Sequence, residues 1–142
     1  MGSQSKLYLI DPILARLPSL LDPSAQPPDF TRSSEAALGV AVARAVSAVH
    51  AERLIEQRAV MYLRTSKSEI DFAAVPMAIG GQRSRSTPLE SKWVESGWKN
   101  EARTMAAKFG RGVLATKNIT DLSGDVSAVS APIVALLLIG TT

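Results

Sequence analysis

Asp71, Glu90 and Lys92 are the residues of this 142-residue chain whose types and spacing suit catalysis. Glu90 and Lys92 stand two apart in Pro88-Leu89-Glu90-Ser91-Lys92-Trp93-Val94. That run reads as a strand, so both side chains leave it on one face. Asp71 lies mid-strand in the run 69–75, between apolar Ile70 and Phe72. Ionisable groups inside apolar strands cost free energy unless they are paired or hold a metal. Two carboxylates on neighbouring strands repel each other, and a divalent cation removes that repulsion. Magnesium or manganese fits such a pair, completing its shell with water and phosphate oxygens. A lysine on the same face can orient or deprotonate the attacking water, and the set as a whole suits phosphodiester hydrolysis. The same three side chains equally fit a structural ion-pair cluster. Glu35 falls in the first turn of a predicted helix, where the helix dipole favours an acid whatever its function.

Composition narrows the alternatives. The chain has no Cys and one His, which excludes disulfides, thiolate catalysis, Cys-based zinc sites and two-His metal motifs. The net charge of +3 is unevenly placed. Residues 1–59 carry six basic and six acidic side chains, residues 60–117 carry ten and five, and residues 118–142 carry two Asp and no Lys or Arg. A phosphate-rich partner suits that central excess, as does ordinary surface solvation. Arg83, Arg85, Lys99 and Arg103, with Lys108 and Arg111, are the candidate nucleic-acid contacts. Met1–Ser5 has no apolar core of a signal peptide and resembles a cloning remnant. The most apolar run, 131–139, is too short to span a bilayer. A cytoplasmic protein is expected.

The elements that must position the three residues follow from periodicity. Leu7–Ile10 is a short apolar run, Asp11-Pro12 opens a helical pattern, and four prolines make 18–32 a linker. Residues 6–32 therefore read as a lead-in to one domain over 33–142. A long helix spans 33–56, capped by Ser33 or Ser34, with Leu38, Val42, Val46 and Val49 on one side. Strands at 59–64 and 69–75 form a hairpin, residues 76–87 a basic Gly-rich loop, and 88–94 a third strand. A helix fits 98–109, ended by Gly110, followed by a strand at 113–116, a polar loop, and a buried strand at 132–139. The expected fold is α/β with a mixed central sheet flanked by helices. Packing is the expected role of Trp93 and Trp98, ahead of base stacking.

Asp71 followed 19 positions later by Glu90-Ser91-Lys92 resembles the PD-(D/E)XK nuclease signature. More narrowly, Lys6-Leu7-Tyr8-Leu9-Ile10-Asp11-Pro12, Glu35-x-x-Leu38, Tyr62-Leu63-Arg64-Thr65, Glu69-Ile70-Asp71-Phe72 and Pro88-Leu89-Glu90-Ser91-Lys92 occur in order. This set, over about residues 6–139, resembles the C-terminal domain of unknown function in a family of prokaryotic AAA+ ATPases. The resemblance implies a restriction-endonuclease-like α-β-β-β-α-β core. It also implies Asp71, Glu90 and the backbone carbonyl of Ser91 as metal ligands, Lys92 as the catalytic lysine and Glu35 as the core-helix acid. The chain departs from the pattern in its long 77–87 segment and in Leu63, where tryptophan is frequent. It has no G-x-x-x-x-G-K-[ST], so no ATP site falls within it and any ATP dependence belongs to a parent protein.

The expected activity is therefore metal-dependent hydrolysis of DNA by a domain attached to an AAA+ ATPase. The rival expectation is a non-catalytic module that binds nucleic acid or protein, or that mediates homo-oligomerisation. For the last, the apolar residues Leu7, Leu9, Ile13, Leu14 and Leu17 are the candidates.

Overall fold

The computed structural model describes Leu14 and residues 16–26, 29–50, 62–64, 69–79 and 82–139. The predicted strand over 7–10, the helix start at Asp11-Pro12 and most of the strand predicted at 59–64 lie outside these residues. Within them the order is α1 (Leu17–Leu21), α2 (Phe30–His50), β1 (Leu63–Arg64), β2 (Glu69–Ile70), β3 (Phe72–Ile79) and β4 (Gln82–Lys92). There follow α3 (Trp98–Phe109), β5 (Gly112–Thr116), β6 (Val126–Ser130) and α4 (Ala131–Ile139). The chain is an α/β protein, as expected.

β1 and β2 pair antiparallel as a short ribbon, with Leu63 opposite Ile70. The main sheet has the order β3-β4-β5-β6. Its first pair is antiparallel and the other two are parallel, so the sheet is mixed. One face, carrying Phe72, Val75, Leu89, Val113, Ala115 and Val129, packs against Leu38, Val42 and Val46 of α2 and Val134 and Leu138 of α4. The other face, with Leu114 and Val126, packs with Ile70 against Ala102 and Met105 of α3. Alternation along β5 explains this division: all five of its residues are buried, because both faces are covered.

Four expectations need correction. The linker predicted at 18–32 contains α1 and the start of α2. α2 begins three residues before Ser33, because Asp29 caps it: Oδ1 accepts the Thr31 and Arg32 amides at 2.9 and 3.3 Å. The predicted 76–87 loop is instead the two-stranded end of β3 and β4, paired from Val75↔Thr87 to Ile79↔Gln82. Two compensating register shifts lie in this ribbon, one between Phe72 and Val75 and one between Val75 and Met77. Prolines 76 and 88 fall beside these irregularities, where a missing amide donor costs the ladder least.

The fourth correction concerns the end of the chain. The 132–139 run is helix α4, and the last strand is β6, inside the stretch expected to be a polar loop. β6 buries Val126, Ala128 and Val129. α4 buries Ala131, Val134 and Leu138, a spacing of three and four, and leaves Ile133 and Leu136 exposed. Pro132 sits in the first turn, where no intrahelical bond needs its amide.

α3 follows its predicted bounds. Gly97 and Gly110 both adopt left-handed φ, at 77° and 69°, and the Gly110 amide closes the helix onto the Ala106 carbonyl at 2.8 Å. Gly112, at the start of β5, is required for a different reason. A Cβ there would overlap the side chain of fully buried Met105 and approach the Pro88 carbonyl oxygen to 3.2 Å. Gly112→Ala is expected to destabilise the fold by about 1–3 kcal/mol, measured by urea unfolding, because the packed α3–β5 contact must open.

Candidate functional site

β4 is the central strand of the site. Along it, Leu89 and Trp93 join the core under α2 and α4. Glu90 and Lys92, one position out of phase, therefore emerge on the α3 side. Glu90 is buried at 8% exposure, whereas the Lys92 side chain keeps 32% of its surface. Lys92 Nζ lies 2.9 Å from Glu90 Oε1 and 3.8 Å from Glu101 Oε1, the latter on the first turn of α3.

Asp71 reaches the same place through a bend. Ile70 belongs to the α3-side core and Phe72 to the α2/α4-side core, although residues two apart on a regular strand share a face. The strand expected over 69–75 is therefore broken: Asp71 is not mid-strand but at the bend between β2 and β3, where the chain turns over. The β3–β4 ladder ends at Phe72↔Leu89, and beyond it Asp71 Oδ2 accepts the Ser91 amide at 2.9 Å. The carboxylate thus stands in for the next ladder acceptor and is fixed beside β4. Its charge acts on both Glu90 and Lys92.

The electrostatics are those of a crowded acid pair with one cation. Burial pushes the Glu90 carboxyl above its usual range. The hydrogen bond and charge of Lys92 oppose this, while Asp71 and Glu101 add repulsion. For Lys92, burial works against the ammonium, but Glu90, Glu101 and Asp71 together outweigh it and the pKa is raised.

The sign of the linkage follows from these directions. A carboxyl whose folded pKa lies above its unfolded value binds more protons when folded, so stability falls as pH rises through that window. For Glu90 the window opens near its ordinary value of 4.5, and the cost is present in full above the folded pKa. Lys92 stays charged there, since its raised pKa gives stability that is lost only as pH climbs past its ordinary 10.5. The stability of the native chain minus that of Glu90→Gln is therefore expected to fall with rising pH just above 4.5. Urea midpoints of both proteins across pH 4–8 measure it, and a flat difference would contradict it.

The candidate contacts are more dispersed. Arg83 and Arg85 occupy alternate positions of β4, with Arg83 opposite Ala78 in the ribbon. Glu90 lies five positions beyond Arg85, roughly 17 Å along a strand. Arg111 Nη2 donates a long bond of 3.4 Å to the Ser86 carbonyl at the ribbon's base. Lys99 and Arg103 lie on α3 and line a separate hollow of about 300 Å³ with Trp98, Asp121 and Asp125. Lys99 stands 6.0 Å from the Trp98 ring centroid, and Arg103 donates to Asn100 Oδ1 at 2.8 Å. The four basic residues are thus divided between β4 and α3.

Glu35 lies in the second turn of α2, not the first, because the helix starts at Phe30. It is half-buried on the helix that packs against the face opposite Glu90 and Lys92. The charges acting on Glu90 are Lys92, Asp71 and Glu101. Glu101 is the residue that sequence reasoning missed. Its signal was available: an acid in the first turn of the helix that follows the E-x-K strand in a β-α-β unit.

A divalent cation is compatible with the donor set. Among the described residues no three His, Cys, Asp or Glu side chains converge into a metal-binding group, so these residues offer no complete cage. Magnesium needs none, since one or two carboxylates with water and substrate phosphate suffice. Asp71 and Glu90 supply two, and a dication would offset the repulsion that helps raise Glu90.

Fold and site together define an α/β protein with a four-stranded mixed sheet, helices on both faces and an acid-lysine cluster at the end of a central strand. Comparison with family models, curated proteins and solved structures returned no match. No helix among the described residues is long and apolar enough to cross a membrane.

Proposed function

We propose that this chain is a restriction-endonuclease-like domain that hydrolyses DNA phosphodiester bonds with magnesium or manganese, in the cytoplasm, as part of an AAA+ ATPase. The observation that carries the reading is the bend at Asp71, whose carboxylate accepts the amide of Ser91, the residue between the paired Glu90 and Lys92. Asp71 and Glu90, with the Ser91 carbonyl, would hold the cation, which supplies Lewis-acid polarisation of the phosphate and offsets transition-state charge. Lys92, which pairs with Glu90 in the cation-free protein, would orient the attacking water and place its own positive charge beside the scissile phosphate. Asp71 sets the geometry, since its bond to the Ser91 amide ties the bend to the strand that carries both other residues. The DNA backbone would extend from this point along β4 toward Arg85 and Arg83, with Lys99 and Arg103 beside α3 as the second set of contacts. Glu35 remains the candidate core-helix acid.

Cleavage of plasmid and single-stranded DNA tests this. The native chain is expected to cut with magnesium or manganese and not with a chelator present, and Asp71→Ala and Lys92→Met are expected to lose the activity. Cleavage that survives both substitutions would reject the reading.

One observation favours a second reading, a non-catalytic interaction module. α1 buries no residue, and Leu14, Leu17, Leu20, Leu21 and Phe30 all expose large apolar side chains. Such a surface suits a protein partner or a second copy of the chain. Calorimetry separates the two readings, because the module needs no cation and the nuclease binds one at millimolar concentration.

A further inference from the structure

We propose that Glu101 is a positioning residue that receives the Lys92 ammonium when a divalent cation occupies Glu90, so that cation and lysine need not compete for one carboxylate. This rests on the nuclease reading and deepens it. The geometry is a lysine held between two acids on different elements. Glu90, on β4, is the nearer partner at 2.9 Å, and Glu101, on α3, stands 3.8 Å from the same nitrogen. The two acids differ in exposure: the Glu90 side chain retains 10% of its surface and Glu101 47%.

That asymmetry decides which acid each cation takes. A dication gains most at the buried carboxylate, where solvent screens least and Asp71 adds a second donor. While Lys92 remains on Glu90 Oε1 it blocks part of that donor and repels the incoming charge. Displaced with nowhere to go, the half-buried ammonium would lose its anionic partner. Glu101 removes this cost, because a short swing of a flexible side chain brings Nζ from one carboxylate to the other. Lys92 then keeps its charge and stays at the end of β4, where the attacking water must be oriented. The first turn of α3 places Glu101 for this, and the burial of Ala102 and Met105 against the sheet fixes the turn.

The test is manganese affinity by calorimetry in four forms of the 142-residue chain: native, Glu101→Gln, Lys92→Met and the double variant. Loss of a half-exposed ion-pair partner is expected to weaken manganese binding about three- to fivefold in Glu101→Gln. In the Lys92→Met background the same substitution is expected to have a smaller effect, since there is no lysine to receive. An equal loss in both backgrounds would mean that Glu101 acts only as a general negative charge, and this inference would fall. Unchanged affinity in Glu101→Gln would overturn it too, with the nuclease reading intact. Absence of manganese binding in the native chain would overturn both together. If Lys92→Met does not fold, the Lys92 ¹³Cε resonance followed through a magnesium titration decides. It is expected to shift in the native chain and to follow a different course in Glu101→Gln. Identical courses in the two proteins would reject the proposal.

Discussion

Lys92→Met is expected to lower the rate of DNA cleavage by about two to four orders of magnitude, the range associated with a positioned acid–base group. Methionine keeps most of the stem and removes the ammonium, so the change reports charge and hydrogen bonding more than shape. Single-turnover cleavage at saturating magnesium measures it. The comparison needs a control for folding, because Lys92 and Glu90 are a partly buried pair. Removing the lysine leaves a carboxylate at 8% exposure beside Asp71, with its main compensating charge gone. The Glu90 pKa should then move further up, and the variant should be less stable at neutral pH than at acid pH. Lys92→Met/Glu90→Gln removes both charges together. It is expected to recover stability, which traces the stability loss of Lys92→Met to the unpaired Glu90 carboxylate, and to remain inactive because it lacks a cation ligand as well as the lysine. Recovery of cleavage in the double variant would assign both Lys92 and Glu90 a structural role only.

The pair at the centre of this prediction was legible in sequence for a simple reason. Strand alternation has a period of two, so Glu90-x-Lys92 must share a face on any strand, whatever surrounds it. The position of Asp71 was legible only in part. Pairing by spacing brings its strand near β4, but the bend that turns Ile70 and Phe72 to opposite faces comes from tertiary packing of two cores. The end of the chain was misread because a short apolar run has no periodicity to separate strand from buried helix. In α4 the alternatives are resolved by burial at Ala131, Val134 and Leu138, a pattern obscured by Ile133 and Leu136, apolar residues left on the outside. β6 was hidden for the opposite reason, since its serines and the preceding aspartates suggested a loop. The 76–87 segment combines Pro76, a Gly pair and polar residues, which are loop signals. It carries a strand pair because backbone ladder bonds make few demands on side-chain type. Glu101 escaped notice because a lone acid in a first helical turn is ordinary. Only the fold puts that turn over Lys92.

The second large effect is expected at Phe72. Its side chain is 1% exposed, packed among Leu38, Val42, Val75, Leu89 and the α4 residues, and it is paired with Leu89 at the last rung of the β3–β4 ladder. Truncation to alanine should cost about 3–5 kcal/mol, from lost transfer free energy and the cavity left behind. Against a total stability of about 5–15 kcal/mol this is a large fraction, and it predicts a urea midpoint roughly 1–3 M lower. The consequence for the site is separate from the consequence for stability. Phe72 anchors one side of the bend and Ile70 anchors the other, so Asp71 is held between two residues committed to different cores. Phe72→Leu keeps an apolar side chain in the pocket and should fold with a smaller loss. If the bend is what aims Asp71 at the Ser91 amide, Phe72→Leu will weaken manganese binding without any change in a charged residue. If the hydrogen bond to Ser91 is enough by itself, manganese affinity will be unchanged while the urea midpoint falls. Measuring both on the same variant therefore shows whether the candidate site is held by its own polar contacts or by the core beneath it.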